Sequence, residues 1–223
     1  MHLLAVTRAD TAAGLGCIRF LGEDQTAVLT LPRVEVQYLR PLLSSIAADD
    51  AQPAVVSNPA GGWHDLRERL ERGLKAEGSI LMQQVRTVLL GLRQLPLLTP
   101  GCYCEAGGLR GVETLVITRA VRRAGDAVGS GEAGVRAARA LLGTLILPGG
   151  PSQPPKAQRA SLSVLCDIAG GQFRTETILR AFQGDEMVRP VVESGSTKAW
   201  QLDHDYLAQV VLAEARQADR AGP

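Results

Sequence analysis

Three neighbouring residues near the carboxyl end of the chain have side chains that could bind a ligand: Asp203, His204 and Asp205. They follow a predicted strand at residues 199–202 and precede a predicted helix whose apolar side chains recur every three or four residues. An imidazole can donate or accept a hydrogen bond and can exchange a proton near neutral pH. His204 is therefore a candidate binding residue. The alternative is a structural role, in which Asp203 or Asp205 caps the helix and His204 bonds a neighbouring carbonyl.

The four cysteines are the other candidates for a chemical site, as metal ligands. Cys102 and Cys104 form a Cys-x-Cys pair, a spacing too short for comfortable chelation, and no second cysteine pair lies nearby in the sequence. A zinc site would need His64 or His204 from distant parts of the chain. We therefore expect no metal site, and we interpret the cysteines as small apolar thiols in a reducing compartment.

The composition predicts a mainly α-helical, cytoplasmic protein. Of the 223 residues, 45% are hydrophobic but only 4% are aromatic, a balance that favours helices over strands. The formal net charge is only +1. No apolar run approaches the ~20 residues that a membrane-spanning helix needs, and no secretory leader is recognisable. We therefore expect no contact with a membrane.

Residues 1–33 are predicted to be the remnant of a nucleotide-binding α/β domain. Residues 3–7 form a continuous apolar segment typical of a strand buried in a parallel sheet, and residues 27–31 offer one more candidate strand. Two strands are too few for such a sheet, so we expect either pairing with another chain or, as we favour, that the sequence is the tail of a longer protein. Arg8 follows the carboxyl end of the first strand, where open α/β sheets bind their ligands.

The middle of the chain, residues 34–150, is predicted to be a helical domain. Thr99 is predicted to cap a short helix that contains Tyr103. A segment rich in Pro and Gly, residues 148–155, then predicts a stiff linker. The longer predicted helices span residues 34–46, a segment from Trp63 that Gly78 ends, and residues 80–94, 109–124 and 135–147.

Residues 156–223 are predicted to form a winged-helix domain, because the pattern gives two helices, a two-stranded hairpin and a closing helix in that order. The predicted bounds are 158–168 and 175–182 for the two helices, with a turn at Gly170-Gly171 between them, and 187–193 and 199–202 for the strands, with a turn at 194–196.

The charge of this predicted domain argues against DNA binding, which a winged helix would otherwise suggest. From Lys156 onwards there are eight basic and nine acidic residues, a net charge of −1. Proteins that bind DNA neutralise several phosphates with clustered Lys and Arg side chains. The most basic cluster instead lies in the helical middle, at Arg119, Arg122 and Arg123, where we interpret it as a solvated helix end. A stand-alone winged-helix DNA-binding regulator is therefore our alternative reading, and a structural adaptor is a third.

The order of the parts resembles the C-terminal portion of the STAND-type NTPases, which are NACHT-like bacterial signalling and defence ATPases. Thr7-Arg8-Ala9-Asp10 resembles the end of the sensor-1 strand of that family. The helical-domain pattern of that family, Leu-Thr, then Tyr, then Gly-Gly-Leu, is similar to a stretch that runs from residue 98 to residue 109. This stretch is the most specific match.

Asp203-His204-Asp205 resembles the winged-helix His-Asp motif of the same family. The resemblance implies that ATP or ADP is the cofactor, that Arg8 senses the terminal phosphate, and that His204, with Asp205 beside it, contacts the diphosphate in the resting state. Gly78 stands where the family begins a Gly-x-x-Pro segment that closes on the adenine, but Leu81 replaces the proline here.

The sequence contains no Gly-x-x-x-x-Gly-Lys-Ser/Thr motif and no acidic Walker-B strand. Without that phosphate-binding loop, phosphoryl transfer loses most of its electrostatic stabilisation, so we expect no ATP hydrolysis by this chain alone. We interpret the chain as the lid half of a nucleotide-dependent switch that needs a P-loop domain in cis or in trans, with Mg²⁺ bound only through that domain. We expect the winged helix to swing about the 148–155 linker on nucleotide exchange. The resemblance also implies oligomerisation on activation.

Overall fold

The computed structural model describes six segments of the chain: residues 36–46, 62–75, 80–129, 131–150, 153–193 and 196–221. Over these segments the chain forms nine α-helices and two small antiparallel sheets, so the prediction of a mainly α-helical protein is confirmed. The predicted remnant at 1–33, with Arg8 and both of its strands, lies outside the described residues, as does Gly78.

The described residues of the part that was predicted to be a helical domain form six α-helices. A 3₁₀ turn, Val36–Tyr38, leads directly into the first α-helix. The predicted cap of the short helix is confirmed, because the Thr99 hydroxyl accepts from the amide of Cys102 at 3.3 Å. The α-helices are α1, Leu39–Ile46; α2, Gly62–Lys75; α3, Met82–Leu92; α4, Pro100–Glu105; α5, Gly108–Asp126; and α6, Gly131–Thr144.

The segment that was predicted to be a stiff linker is flanked by two short strands that pair with each other. Strand β1, Ile146–Leu147, lies antiparallel to β2, Lys156–Ala157. The helix predicted to run to residue 147 therefore stops earlier, since the last two of those residues pair with β2 instead. The amide of Gln158 also donates to the carbonyl of Leu145 at 2.9 Å, so the chain after the linker is hydrogen-bonded to the chain before it.

The described residues from 160 onwards form three helices and a three-stranded antiparallel sheet. The elements are β3, Ala160–Ser161; α7, Leu162–Ala169; α8, Gln172–Gly184; β4, Val188–Glu193; β5, Ser196–Leu202; and α9, Asp205–Ala221. The sheet order is β3-β5-β4, and Trp200 of β5 pairs with Ala160 on one side and Pro190 on the other. The predicted hairpin is confirmed in β4 and β5. The predicted turn at Gly170-Gly171 is also confirmed, and both glycines have positive φ.

The prediction of a helix from residue 158 is wrong over its first four residues, which are not helical. Ala160 and Ser161 form the edge strand β3 because their backbones pair with β5. The helix begins one residue later, where the Ser161 hydroxyl accepts from the amide of Val164 at 3.4 Å and caps it. A pairing between residues 40 apart in sequence has overridden the local helical pattern.

The buried apolar side chains of the described residues form two clusters, and the boundary between the clusters does not fall at the 148–155 segment. The smaller cluster joins α1 to α4 and the first half of α5, as far as Val112 and the partly buried Leu115. The larger cluster begins at Ile117 of α5 and continues through α6, α7 and α8 to Val211 of α9. Helices on both sides of the predicted linker therefore share one hydrophobic core, while the predicted domain division itself stays a prediction.

Close helix packing explains two glycines on α5 and α6. A Cβ on Gly125 would lie 2.5 Å from the amide nitrogen of Val135, and one on Gly134 would overlap the carbonyl oxygen of Gly125. The two helices therefore touch backbone to backbone at this crossing. None of the helices in the described segments is both long enough and apolar enough to span a bilayer.

Candidate functional site

The structure places two of the four predicted site residues, His204 and Asp205, at the start of α9. Arg8 and Gly78 lie outside the described residues, so the structure does not bring them to this site or separate them from it. The candidate site in the described residues therefore consists of His204, Asp205 and the elements that hold them.

The connection between β5 and α9 is only two residues long, and it is held from both sides. The amide of Asp203 donates to the carbonyl of Met187 at 2.9 Å, which ties the end of β5 to the start of β4. On the other side, Tyr206 and Leu207 of α9 are buried in the larger core. Because its backbone neighbours are fixed in this way, the half-buried side chain of His204 has a defined position at the edge of the fold.

The ring of His204 caps helix α9. The ring nitrogen Nδ1 accepts a hydrogen bond from the amide of Tyr206 at 3.1 Å. The backbone carbonyl of His204 accepts another from the amide of Leu207 at 3.0 Å. The expected cap, an oxygen of Asp203 or Asp205, is therefore replaced by an imidazole nitrogen. The expected bond from His204 to a carbonyl is likewise replaced, since the ring accepts from an amide. A ring that accepts through Nδ1 carries its proton on Nε2 when neutral, so Nε2–H is the donor that His204 can offer to a ligand.

The carboxylate of Asp205 is hydrogen-bonded to a backbone amide within the chain. Its Oδ1 accepts from the amide of Ala157 on β2 at 2.9 Å. An ionised carboxylate can only accept hydrogen bonds, and it repels an anion. Asp205 therefore attaches strand β2 to α9, the helix that His204 caps.

Lys156 is a cationic residue near this site that the sequence analysis did not single out. It is exposed, it pairs with Leu147 across β1 and β2, and it precedes the residue whose amide bonds to Asp205. Nothing in the sequence indicates this proximity, because it depends on a strand pair of two residues on each side and on a contact between residues 48 apart.

Leu81, which stands where the resemblance expects an adenine-contacting proline, is the residue immediately before α3. Its backbone is extended, and its partly buried side chain packs against the larger core. Leu81 therefore has a packing role in this structure, and it forms part of the contact between the two clusters of buried side chains.

The most specific sequence match, the stretch around Tyr103, also has a structural explanation. Gly107 and Gly108 both have positive φ, and they make the tight turn between α4 and α5. Tyr103 is buried in the smaller core, and burial raises the pKa of its hydroxyl to about 12. The charges of Cys104 and Glu113 contribute to this higher pKa, and Arg69 opposes them. The pattern can therefore be understood as the packing of a short helix on a long one.

The basic cluster on α5 is partly used in contacts within the chain. Arg123 forms an ion pair with Asp185, just after α8, and it donates to the carbonyl of Ala181 at 3.2 Å. Arg86 of α3 forms an ion pair with Glu186, whose φ of +55° places it in the left-handed region that non-glycine residues rarely adopt. Two arginines of the helical middle thus hold the turn between α8 and β4.

Burial raises the pKa of Asp185 above its usual value, although Arg123 pulls it in the opposite direction. The loss of solvation is thus the larger effect on this carboxyl, and one of its oxygens, Oδ2, is buried without a hydrogen bond. The contact of Arg123 with this carboxylate and with a backbone carbonyl leaves the arginine less available for a phosphate.

No group of three or more His, Cys, Asp or Glu side chains lies close enough to hold a metal ion within the described segments. Cys102, Cys104 and Cys166 are free thiols, and the guanidinium of Arg69 lies 3.0 Å from the sulfur of Cys104.

Comparison of the chain with protein-family models, with curated proteins and with solved structures finds no match in any of the three.

Proposed function

We propose that this chain is the lid half of a nucleotide-dependent switch of the STAND type, with residues 156–221 acting as a winged-helix domain. The observation that carries the proposal is the hydrogen bond from the amide of Tyr206 to Nδ1 of His204. It assigns the acceptor role to Nδ1 and leaves Nε2–H as a donor at the edge of the fold. A donor in this position is what a contact with a diphosphate requires.

The arrangement of β3, α7, α8, β4, β5 and α9 supports the winged-helix part of the proposal. Two helices precede an antiparallel hairpin, and the short strand β3 adds a third strand to it. The hairpin lies directly before the residue that is proposed to contact the nucleotide, so a movement of the hairpin and of α9 would move His204 with them.

In the proposed resting state His204 donates from Nε2 to the diphosphate of ADP held by a P-loop domain. Arg8, which follows a predicted strand, is expected to approach the terminal phosphate. The nucleotide supplies negative charge that differs between its diphosphate and triphosphate forms. If the lid binds one of these two forms more tightly than the other, nucleotide exchange shifts the balance between closed and open states. The size of the shift is set by the ratio of the two binding affinities. The chain lacks a phosphate-binding loop motif, so the P-loop domain is needed for any hydrolysis.

The test is the rate of ADP release from the chain joined to a P-loop nucleotide-binding domain. His204→Ala removes both the helix cap and the Nε2 donor. His204→Asn keeps a good capping side chain but lacks the reach of Nε2, so it separates the two roles. Both variants are expected to release ADP at least tenfold faster, the loss of about one charge-assisted hydrogen bond.

The matched control for this test is Asp167→Asn, an exposed change on α7 that also removes one negative charge and is expected to release ADP at the wild-type rate. If His204→Asn also releases ADP at that rate, the proposed phosphate contact is wrong.

The alternative, a DNA-binding regulator, has less support in the structure. Arg180 on the exposed side of α8 lies 3.7 Å from Glu176, and Arg123 is engaged with Asp185 and Ala181. A salt titration with duplex DNA distinguishes the two proposals. A steep loss of affinity with rising salt would favour the regulator, and the absence of binding at low salt would exclude it.

A further inference from the structure

The two hydrophobic clusters divide the described chain at a place that differs from the expected hinge. A swing of residues 156–221 about the 148–155 segment would pull α7, α8 and α9 away from α5 and α6. Those five helices share the larger core, in which Ile117 on α5 and Ile178 on α8 are both fully buried. Such a swing would expose a large apolar surface to water.

Polar contacts and close backbone packing join the same five helices. Arg139 of α6 forms two hydrogen bonds with the buried carboxylate of Glu214 on α9. Arg123 of α5 bonds to α8 and to the residue that follows it. The α5–α6 crossing at Gly125 leaves no room even for a methyl group. The strand pair β1–β2 and the bond from Ala157 to Asp205 further attach the 148–155 segment at both of its ends.

The contact between the two clusters is different in kind. It includes the partly buried side chain of Leu81, the ion pair between Arg86 and Glu186, and the continuous helix α5, whose residues contribute to the smaller cluster up to Leu115 and to the larger one from Ile117. The side chains of Arg86 and Glu186 are 41% and 62% exposed, so this ion pair holds the two parts together only weakly.

We infer that the second half of α5 and helices α6 to α9 form one mechanical body, and that α1 to α4 form the other. The joint between the two bodies lies at Leu81, Arg86 and the first half of α5, and the 148–155 segment is an internal connection of the larger body. If His204 contacts a nucleotide as proposed, the moving part that carries it includes α6, but the inference stands without that contact.

The experiment is amide hydrogen exchange of the full chain with three variants of identical chemistry. Ile80→Val lies in the smaller cluster, Ile117→Val in the larger cluster before the 148–155 segment, and Ile178→Val in the larger cluster after it. Each change removes one buried methylene and is mild enough for the chain to remain folded. Ile117→Val and Ile178→Val are both expected to speed exchange in α6 and in α7 to α9 together, by about 2- to 12-fold.

The same two variants are expected to leave α2 and α3 unchanged, and Ile80→Val is expected to give the reverse pattern. If Ile178→Val speeds α7 to α9 while α6 keeps its wild-type exchange, the 148–155 segment is the boundary and the inference is overturned. It is also overturned if all three variants speed exchange everywhere equally, because the chain would then be one cooperative unit.

Discussion

Arg139 on α6 and Glu214 on α9 form two parallel hydrogen bonds, with Nε 3.0 Å from Oε2 and Nη2 2.8 Å from Oε1. The Glu214 side chain is 3% exposed and that of Arg139 is 28% exposed. The carboxylate is therefore the more deeply buried partner, and it depends on the guanidinium for compensation of its charge. The pair connects a helix that precedes the 148–155 segment with a helix that follows it.

Removing the cation of this pair is expected to lower the free energy of unfolding more than removing the anion does. Arg139→Leu leaves a buried carboxylate without its partner, and we expect a loss of about 3 kcal/mol in the free energy of unfolding. Glu214→Gln keeps an acceptor and leaves an arginine that can still reach water, so we expect the free energy of unfolding to fall by only about 1 kcal/mol. Urea denaturation of both variants measures the difference. A loss below about 1 kcal/mol for Arg139→Leu would show that the pair is not a significant part of the core.

Two glycines of α6 are expected to respond to alanine in opposite directions. Gly134 meets the backbone of Gly125 across the crossing with α5, so Gly134→Ala forces the helices apart and should cost about 2 kcal/mol. Gly143 lies in the same helix with open space around it, so Gly143→Ala should stabilise the protein by about 0.5–1 kcal/mol. Thermal or urea unfolding of the two variants tests the crossing. Equal changes in the free energy of unfolding for Gly134→Ala and Gly143→Ala would contradict this packing of α6 on α5.

Asp185 is expected to make stability fall as pH rises. Burial raises the pKa of its carboxyl in the folded state, so the folded protein binds this proton more tightly than the unfolded chain does. The contribution to stability is then fully present below the usual pKa of an aspartic acid, and it is lost as pH rises through the folded-state pKa. Asp185→Asn cannot ionise and should lack this component.

The measurement for Asp185 is the free energy of unfolding of the wild type and of Asp185→Asn between pH 3 and pH 7. The wild type should lose stability relative to the variant across this range. Asp167→Asn, an exposed change on α7, is the control for the removal of one negative charge. A wild type that instead gains stability relative to Asp185→Asn would show that Arg123 outweighs burial.

Tyr103 is expected to ionise later than an ordinary tyrosine. Burial raises its pKa to about 12 from the usual 10.0, so the folded state resists formation of the tyrosinate. The resulting contribution to stability is present below pH 10 and is lost as pH rises from 10 to 12. Tyrosinate absorbance during an alkaline titration should show a late step for one of the three tyrosines, and Tyr103→Phe should remove that step. A late step that persists in the variant would assign it to another tyrosine.

Local patterns in the sequence were sufficient to predict most of the helices and the β4–β5 hairpin. Apolar side chains that recur every three or four residues identify a helix wherever it is placed, and the hydroxyl of Thr99 caps α4 through residues only three positions away. The Gly170-Gly171 turn is local in the same sense, because both glycines adopt the positive φ that other residues avoid. His204 and Asp205 could also be selected from the sequence, by their place between a strand and a helix.

The tertiary structure decided what depends on contacts between distant residues. Strand β3 replaced two residues of a predicted helix because its backbone pairs with β5, and the ring of His204 took the capping role expected of an aspartate. The partner of Asp205 is an amide 48 residues away, and Arg123 pairs with Asp185 across 62 residues. Such pairings leave no periodic signal in the chain, because a hydrogen bond or an ion pair depends on distance in space and not on distance along the sequence.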